Sequence, residues 1–134
     1  MKTQTLSPLV VDFMPAALEP GVLYISLAYE TTAHLCACGC GNKVVPPISP
    51  AEWRVGFAGD GTVSMHPSIG NWEFPCRSHY VIKHNQIRWA GAWSQEQVER
   101  GRARDIAALQ LQHNRRTAGL AARLRNLLRR ITRR

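Results

Sequence analysis

The sequence lacks any long apolar run. None of its 134 residues belong to a segment near the roughly 20 apolar residues that a transmembrane helix needs. The first twenty residues carry Asp12 and Glu19 and no extended apolar stretch, so we expect no secretory signal peptide. We therefore expect a soluble protein of the reducing cytoplasm, where clustered cysteines are more often metal ligands than disulfides.

Several common catalytic and nucleotide-binding motifs are also absent. The sequence has no HExxH, no Walker loop and no GxGxxG, so it does not belong to the enzyme classes that carry them. A zinc deaminase needs H-x-E and P-C-x-x-C, whereas Pro75 and Cys76 supply only half of the second motif. A zinc ribbon needs paired CxxC knuckles, and the sequence has none.

Acidic residues are scarce near the end of the chain. Residues 1–93 hold six basic and six acidic residues, whereas residues 94–134 hold eleven arginines and three acids. The net charge of +8 therefore belongs entirely to the second part. This shift predicts a neutral body over residues 1–93 and a basic extension over residues 94–134.

The body has short segments rich in β-branched and aromatic residues, separated by proline and glycine. This pattern predicts a mostly β, antiparallel body. The predicted strands are residues 10–14, 22–29, 34–35, 43–46, 53–58, 62–66, 80–83 and 86–90. Residues 59–61 and 84–85 are typical of hairpin turns, and residues 49–52 of a single capped turn of helix.

The extension has a helical pattern. Ser94 and Gln97 form an S-x-x-Q capping box, and apolar residues then recur at helical spacing with arginines between them. Gly119 is a point where the helix is expected to break in two. The helix is either a packing or solubilising element or an arginine-rich surface for an acidic protein, a nucleic acid or an anionic membrane.

The four cysteines form the most specific pattern in the sequence. Cys36, Cys38 and Cys40 alternate with small residues, and Cys76 lies in a second dense segment. Sulfurs around one tetrahedral zinc lie about 3.8 Å apart, whereas Cα atoms two residues apart in a strand are separated by roughly 6.6 Å. The loop must therefore curl, which Gly39 and Gly41 permit. The sequence predicts a metal site, zinc above all, with buried thiols or a disulfide as the alternative.

A serine and a histidine lie near the fourth cysteine. If Cys76 binds the metal, Ser78 and His79 are held beside it, and Ser68 is close enough in sequence to fold back onto them. Histidine is the side chain best suited to activate a serine hydroxyl near neutral pH. Asn71 or nearby backbone N–H groups are then candidates to donate to an oxyanion.

Other site types remain open on the residues alone. A catalytic zinc would keep an open position, with His34 or His79 replacing one cysteine ligand, and the displaced cysteine would be a third candidate nucleophile. A non-catalytic zinc module is also possible, with a basic extension that binds a protein partner or a nucleic acid. The neutral body argues against the nucleic-acid version.

The segments GVLYISLAYETTAHLCACGCGNKVV, SMHPSIGNWEFPCRSHYVI and IRWAGAW resemble a small zinc-binding bacterial domain family. The family is encoded in ubiquitination-like (Bub-type) operons, beside ubiquitin-like proteins and their E1- and E2-like enzymes, and these operons are linked to antiphage defence. The resemblance covers residues 10–105 and leaves out the basic end of the chain.

The resemblance implies a zinc-binding, β-rich fold and a peptidase that trims a ubiquitin-like precursor or releases the modifier from its targets. By motif, the implied zinc ligands are Cys36, Cys38, Cys40 and Cys76. The implied active region consists of Ser68, Asn71, Ser78 and His79. In the implied acyl transfer Ser68 attacks, His79 is the base and zinc is a scaffold. The modifier's tail would bind as an extended strand at a sheet edge.

Overall fold

The computed structural model describes residues 1–133 and consists of eight strands followed by one helix. The strands, β1 to β8, are Ser7–Val10, Val22–Ser26, Thr31–Leu35, Lys43–Val44, Arg54–Phe57, Val63–Gly70, His79–Lys83 and Gln86–Trp89. They form two four-stranded sheets, in the orders β1-β2-β3-β4 and β5-β6-β7-β8. The prediction of a mostly β body with a helical extension is confirmed.

The first sheet contains the one departure from antiparallel pairing among the named strands. β1 pairs in parallel with β2, with Ser7 opposite Val22 and Val10 opposite Ile25. The predicted strand over residues 10–14 is therefore wrong except at its first residue. Apolar composition suggested the later segment, but pairing with β2 and the complete burial of Leu6 set the position of β1.

The second sheet is a meander of hairpins. Asp60 lies in the β5–β6 turn, and Gly61 takes a φ of +82° there. His84 and Asn85 both have positive φ in the two-residue β7–β8 turn, as the right-handed twist of the flanking strands favours. Both predicted hairpin turns are present. The predicted helical turn over residues 49–52 is instead a hydrogen-bonded turn, in which the Glu52 N–H donates to the Ser49 carbonyl.

β6 is longer than the sequence predicted, and this extension carries the site described below. Its pairing with β7 shifts register between Met65 and Ile69, which marks an irregularity of the β-bulge type. Such bulges bend a strand and redirect the side chains within them. Ser68 lies in this irregular stretch, beyond the predicted end of the strand at residue 66.

The core is one cluster of buried side chains from both sheets. Leu23 and Ile25 of β2 contribute from the first sheet, and Met65, Tyr80 and Ile82 from the second. Cys36 and Ala37, which directly follow β3, belong to the same cluster. The start of the cysteine loop is thus anchored in the core.

The extension is one helix, α1, over Gln95–Thr132. The predicted capping box is present, because Ser94 accepts from the Gln97 N–H and the Gln97 side chain accepts from the Ser94 N–H. Gly119 does not break the helix, since one glycine costs only about 1 kcal/mol among good helix formers. Val98 and Gly101 are the helix residues that are buried, so α1 leaves the body after its first turns. Within residues 1–133, no helical stretch combines the length and apolar character that crossing a bilayer demands.

Candidate active site and metal centre

The cysteine loop is curled by two glycines. Gly39 and Gly41 have φ values of +88° and +83°, in the region that favours glycine. The Cys36 N–H donates to the Asn42 carbonyl at 2.8 Å, and the Gly39 N–H donates to the Cys36 carbonyl at 3.0 Å. These bonds close the loop on itself, which brings its alternate side chains together.

All four sulfurs meet in one place. The Sγ atoms of Cys36, Cys38, Cys40 and Cys76 lie within 4.8 Å of one another. Cys36 Sγ is 3.4 Å from Cys38 Sγ and 3.9 Å from Cys76 Sγ, and Cys40 Sγ is also 3.9 Å from Cys76 Sγ. These separations are close to the about 3.8 Å expected around one tetrahedral ion, and no disulfide joins the cysteines. The four cysteines therefore fit a metal ion.

The electrostatics of the cluster also favour a cation. Burial raises the pKa of Cys36. Burial and the neighbouring sulfurs raise the pKa of Cys38 to about 12, whereas the Asn42 N–H lowers the pKa of Cys40 to about 7. Without a cation, sulfurs this close resist simultaneous ionisation, because each thiolate repels the next. A divalent metal removes that repulsion and holds the sulfurs as thiolates.

A buried polar network supports the sulfurs. Ser78 Oγ lies 3.0 Å from Cys36 Sγ, and Asn71 Nδ2 donates to Ser78 Oγ at 2.9 Å. Asn71 Nδ2 also lies 3.6 Å from Cys36 Sγ and 3.5 Å from the Tyr80 hydroxyl. The structure therefore places Asn71 and Ser78 against the cysteine cluster, where they orient the thiols.

The candidate histidine ligands are occupied elsewhere. His34 is fully buried, its Nε2 lies 2.8 Å from the Tyr80 hydroxyl, and burial lowers its pKa to about 4. Burial also raises the pKa of Tyr80. His79 has partners of its own on the other side of β7. Neither histidine belongs to the group of side chains that converge at the metal site.

Ser68 and His79 form a hydrogen-bonded pair. His79 Nε2 lies 2.9 Å from Ser68 Oγ, and His79 Nδ1 lies 2.8 Å from the Gly91 carbonyl oxygen. A carbonyl oxygen only accepts, so Nδ1 carries the proton in the neutral ring. Nε2 then has a free lone pair, and the serine hydroxyl donates to it. This is the tautomer that a general base needs to activate the serine.

Aromatic rings hold the imidazole in place. The Trp72 and Trp93 rings lie 5.0 Å and 5.1 Å from the His79 ring, centre to centre, and stack on each other at 5.5 Å. The Ala90 N–H donates to the His79 carbonyl at 2.9 Å, which fixes the backbone as well. Only 7% of His79 is exposed, so the ring has little room to turn away from Ser68.

Trp72 in turn depends on the glycine two residues before it. A Cβ at Gly70 would lie 2.4 Å from Trp72 Nε1, closer than any real contact of this kind. Gly70 therefore lets the indole lie directly on the end of β6, next to Ser68. The close approach requires glycine here because of space, since the backbone of Gly70 is not in the positive-φ region.

The pair faces a cleft with a volume of about 610 Å³. One side of the cleft consists of body residues, including Trp53, Pro67, Trp72 and Trp93. The other side consists of residues from the first half of α1. These are Val98, Gly101, Arg102, Arg104, Asp105, Ala108 and Leu109. Arg102 also pairs with Glu73, which ties the helix to the loop that carries Trp72.

The candidate site contains features that the sequence analysis did not find. The Gly91 carbonyl is a backbone group, so residue identity carries no signal for it. Trp72 and Trp93 belong to the segments GNW and AGAW that carried the resemblance, but their packing on His79 was not predicted. The wall formed by α1 was missed, because the extension was treated as separate from the body.

A serine and a histidine that share a hydrogen bond in a cleft define a candidate serine hydrolase. A model of the family described as bacterial ubiquitination-like system serine protease (BubE) matches residues 10–90, and the chain belongs to this family. The resemblance drawn from the sequence is thereby confirmed. No curated protein and no solved structure matches the chain. The matched region includes the four cysteines, Ser68 and His79, and it ends before Gly91 and α1.

Proposed function

We propose that this protein is a serine peptidase that cuts the chain after the C-terminal residue of a bacterial ubiquitin-like protein. Ser68 is the nucleophile and His79 the general base. The observation that carries the proposal is the continuous hydrogen-bonded path from Ser68 Oγ through the His79 ring to the Gly91 carbonyl, at 2.9 Å and 2.8 Å. Membership of a family described as serine proteases supports the same reaction class.

Acylation follows from this geometry. His79 Nε2 takes the hydroxyl proton as Ser68 Oγ attacks the substrate carbonyl carbon, which forms a tetrahedral intermediate. The imidazolium that results donates through Nδ1 to the Gly91 carbonyl, so the backbone oxygen stabilises the charge and keeps the ring in position. His79 Nε2–H then gives its proton to the leaving amine as the C–N bond breaks, and the modifier remains as an ester on Ser68.

Deacylation uses the same two side chains. A water molecule gives a proton to His79 Nε2 and attacks the ester carbonyl, and Ser68 Oγ recovers its proton from the imidazolium when the C–O bond breaks. The chain uses a backbone carbonyl where many serine peptidases use aspartate. A neutral oxygen stabilises the imidazolium less than a carboxylate does, but it holds the same tautomer.

The metal has a scaffolding role in this proposal. Cys36, Cys38, Cys40 and Cys76 would hold zinc, the ion that four thiolates at these distances suit best. Bound zinc would cross-link the cysteine loop to the segment that leads into β7. Four sulfurs fill a tetrahedral shell, and His34 and His79 have other partners, which favours serine chemistry over a metallopeptidase.

The cleft suits an extended tail. It is lined by Trp53 and other body residues and by residues of α1, and Ser68 and His79 line it as well. Trp53 is bridged to Ile48 and directly precedes β5, the edge strand of its sheet, so a tail that enters here would reach the outer edge of β5 beyond this bridge. We place the protein in the cytoplasm, where it would act with the ubiquitin-like protein and its E1- and E2-like enzymes in antiphage defence.

The test is cleavage of a ubiquitin-like precursor with residues beyond its terminal glycine, followed by mass spectrometry. Ser68→Ala and His79→Ala should each lower kcat/KM by at least about a thousandfold, because the two side chains act as a unit. His66→Ala, an exposed histidine two residues before Ser68, is the matched control and should cleave normally. A fluorophosphonate probe should label Ser68 in the wild-type protein and not in the His79 variant.

Two results would overturn the proposal. If Ser68→Ala and His79→Ala both cleaved the precursor at the wild-type rate, the serine mechanism would be excluded. If such cleavage were abolished by a chelator while the fold persisted, the activity would be that of a metallopeptidase. Absence of cleavage and of probe labelling would leave a non-catalytic zinc module in its place.

A further inference from the structure

The end of α1 is an exposed amphipathic surface, here called the distal segment (residues 115–133). No residue of this segment is buried. Its large apolar side chains are Leu120, Leu124, Leu127, Leu128 and Ile131, and each is between 52% and 66% exposed. At 3.6 residues per turn these five lie within an arc of about 100°. The helix thus presents an uncovered aliphatic stripe.

The charged side chains on the rest of the circumference are all basic. The distal segment contains seven arginines, all outside the apolar arc, and the sequence has no acidic residue after Asp105. Arg116 and Arg123 border one flank of the stripe, and Arg125 lies towards the other. The segment begins more than one turn beyond Leu109, so its residues differ from those that line the cleft.

Charge argues against a second copy as the occupant of the stripe. Two distal segments packed face to face would bring fourteen arginines together without an acid to pair them. Like charges at the flanks of a helix pair oppose association. A nucleic acid would satisfy the arginines but would leave the leucines in water.

We propose that the distal segment binds an anionic lipid surface and lies in the plane of the interface. Such a surface offers phosphates and hydrocarbon together, along the whole length of the stripe, and requires no matching groove. The aliphatic side chains enter the acyl boundary, while flanking arginines extend to lipid phosphates, which their guanidinium groups bind in a bidentate manner. Among the described residues, α1 has no stretch long and apolar enough to span a bilayer, so the proposed contact is with the membrane surface. This inference does not depend on the proposed peptidase activity.

The test is flotation of the full-length protein with extruded vesicles. Vesicles of phosphatidylcholine containing phosphatidylglycerol should carry the protein upward at low salt, and vesicles of phosphatidylcholine alone should carry much less. Binding should weaken as salt rises, because the exposed arginines are screened. Circular dichroism of each variant should show that the helix is retained.

Matched variants separate the two contributions. Replacing Leu124 and Leu127 together by Gln should weaken binding by about tenfold or more. The control Leu111→Gln removes an exposed leucine from the opposite side of the same helix and should have no effect. Replacing Arg116 and Arg123, which border the stripe, by Gln should cost about fivefold per residue, whereas the same change at the exposed Arg54 and Arg88 of the body should not.

Several results would overturn the proposal. One is absence of binding to phosphatidylglycerol vesicles at low salt, and another is normal binding by the Leu124 and Leu127 double variant. A dimer in analytical ultracentrifugation that the same double variant dissolves, without vesicle binding, would assign the stripe to a second copy. If the protein bound RNA or an acidic protein but did not bind vesicles, the stripe would be assigned to that partner.

Discussion

Ser78 and His79, the residue before β7 and its first residue, are neighbours in sequence and contact different sites. Ser78 Oγ lies 3.0 Å from Cys36 Sγ, whereas His79 Nε2 lies 2.9 Å from Ser68 Oγ. Successive side chains of an extended chain point to opposite faces, so the chain entering β7 presents Ser78 to the cysteine cluster and His79 to the cleft. Anything that holds the cluster therefore also positions the imidazole.

The first prediction concerns the metal. The native protein should contain one zinc ion per chain by elemental analysis, and Cys76→Ser should lose it, because the cluster then has three thiolates instead of four. We expect the free energy of unfolding to fall by more than about 2 kcal/mol. Ser68→Ala should keep the metal, since Ser68 Oγ bonds only His79 among the side chains of the described residues. If the Cys76→Ser variant still contained one zinc ion per chain, the four-cysteine site would be contradicted.

The second prediction tests the network around the sulfurs. Asn71→Ala removes a buried donor to Ser78 Oγ and should lower the free energy of unfolding by about 1–3 kcal/mol. Zinc affinity should fall by about 10- to 100-fold, the usual effect of losing a group that orients a ligand. Competition with a coloured chelator measures this affinity.

Asn42→Ala is the matched control for Asn71. Asn42 Nδ2 also donates to a ligand sulfur, that of Cys40 at 3.3 Å, but on the exposed side of the cluster. Water can replace this donor, so the change should affect unfolding by less than about 1 kcal/mol. Equal effects from the two asparagines would show that burial of the network is unimportant.

The third prediction concerns the contact between Gly70 and Trp72. Gly70→Ala would place a methyl group 2.4 Å from Trp72 Nε1, so the indole must move. Overpacking of this kind costs about 1–3 kcal/mol. The shift should also loosen His79 and lower kcat by at least about tenfold, since small displacements of a catalytic group are costly. Tryptophan fluorescence should report the movement.

Gly56→Ala is the control for the Gly70 variant. Gly56 lies in β5, and the nearest atom to an added Cβ is the Ser64 carbonyl oxygen at 3.9 Å, an ordinary contact. We therefore expect cleavage and fluorescence to stay unchanged. A normal kcat in Gly70→Ala would mean that Trp72 does not hold the imidazole.

The fourth prediction concerns the helical wall of the cleft. Arg102→Ala breaks the ion pair that ties α1 to Glu73. The Arg102 side chain is about half exposed and Glu73 is largely exposed, so stability should change little. The wall should become mobile and raise KM by about three- to tenfold, with kcat nearly constant. Steady-state kinetics on the ubiquitin-like precursor separates the two constants.

The matched control is the other ion pair of the same helix. Arg100 pairs with Glu96 one turn away, and neither residue lines the cleft. Arg100→Ala should leave KM unchanged. If both variants raise KM equally, the effect is due to the positive charge of the helix and not to the Arg102–Glu73 ion pair.

Much of this architecture follows from local sequence. β-branched residues, positive-φ glycines and the Ser94–Gln97 box depend on backbone preferences over a few residues. The positions of most strands, both hairpin turns and the start of α1 were therefore predictable. The cysteine spacing also predicted a curled loop and a four-sulfur cluster. Local composition gave wrong predictions in two places. Over residues 10–14, long-range pairing with β2 set the position of the strand. At Gly119, the surrounding helix formers kept the helix continuous.

The sequence alone determined which residue types are available for chemistry: four thiols, a serine and a histidine in two segments. Tertiary structure decided how they are arranged. The pairing of β6 with β7 brings residue 68 to residue 79. Side-chain alternation at the start of β7 turns His79 away from the preceding Ser78, and the chain after β8 places the Gly91 carbonyl next to the imidazole. These relationships join residues distant in sequence or use backbone atoms, so no side-chain pattern along the chain encodes them.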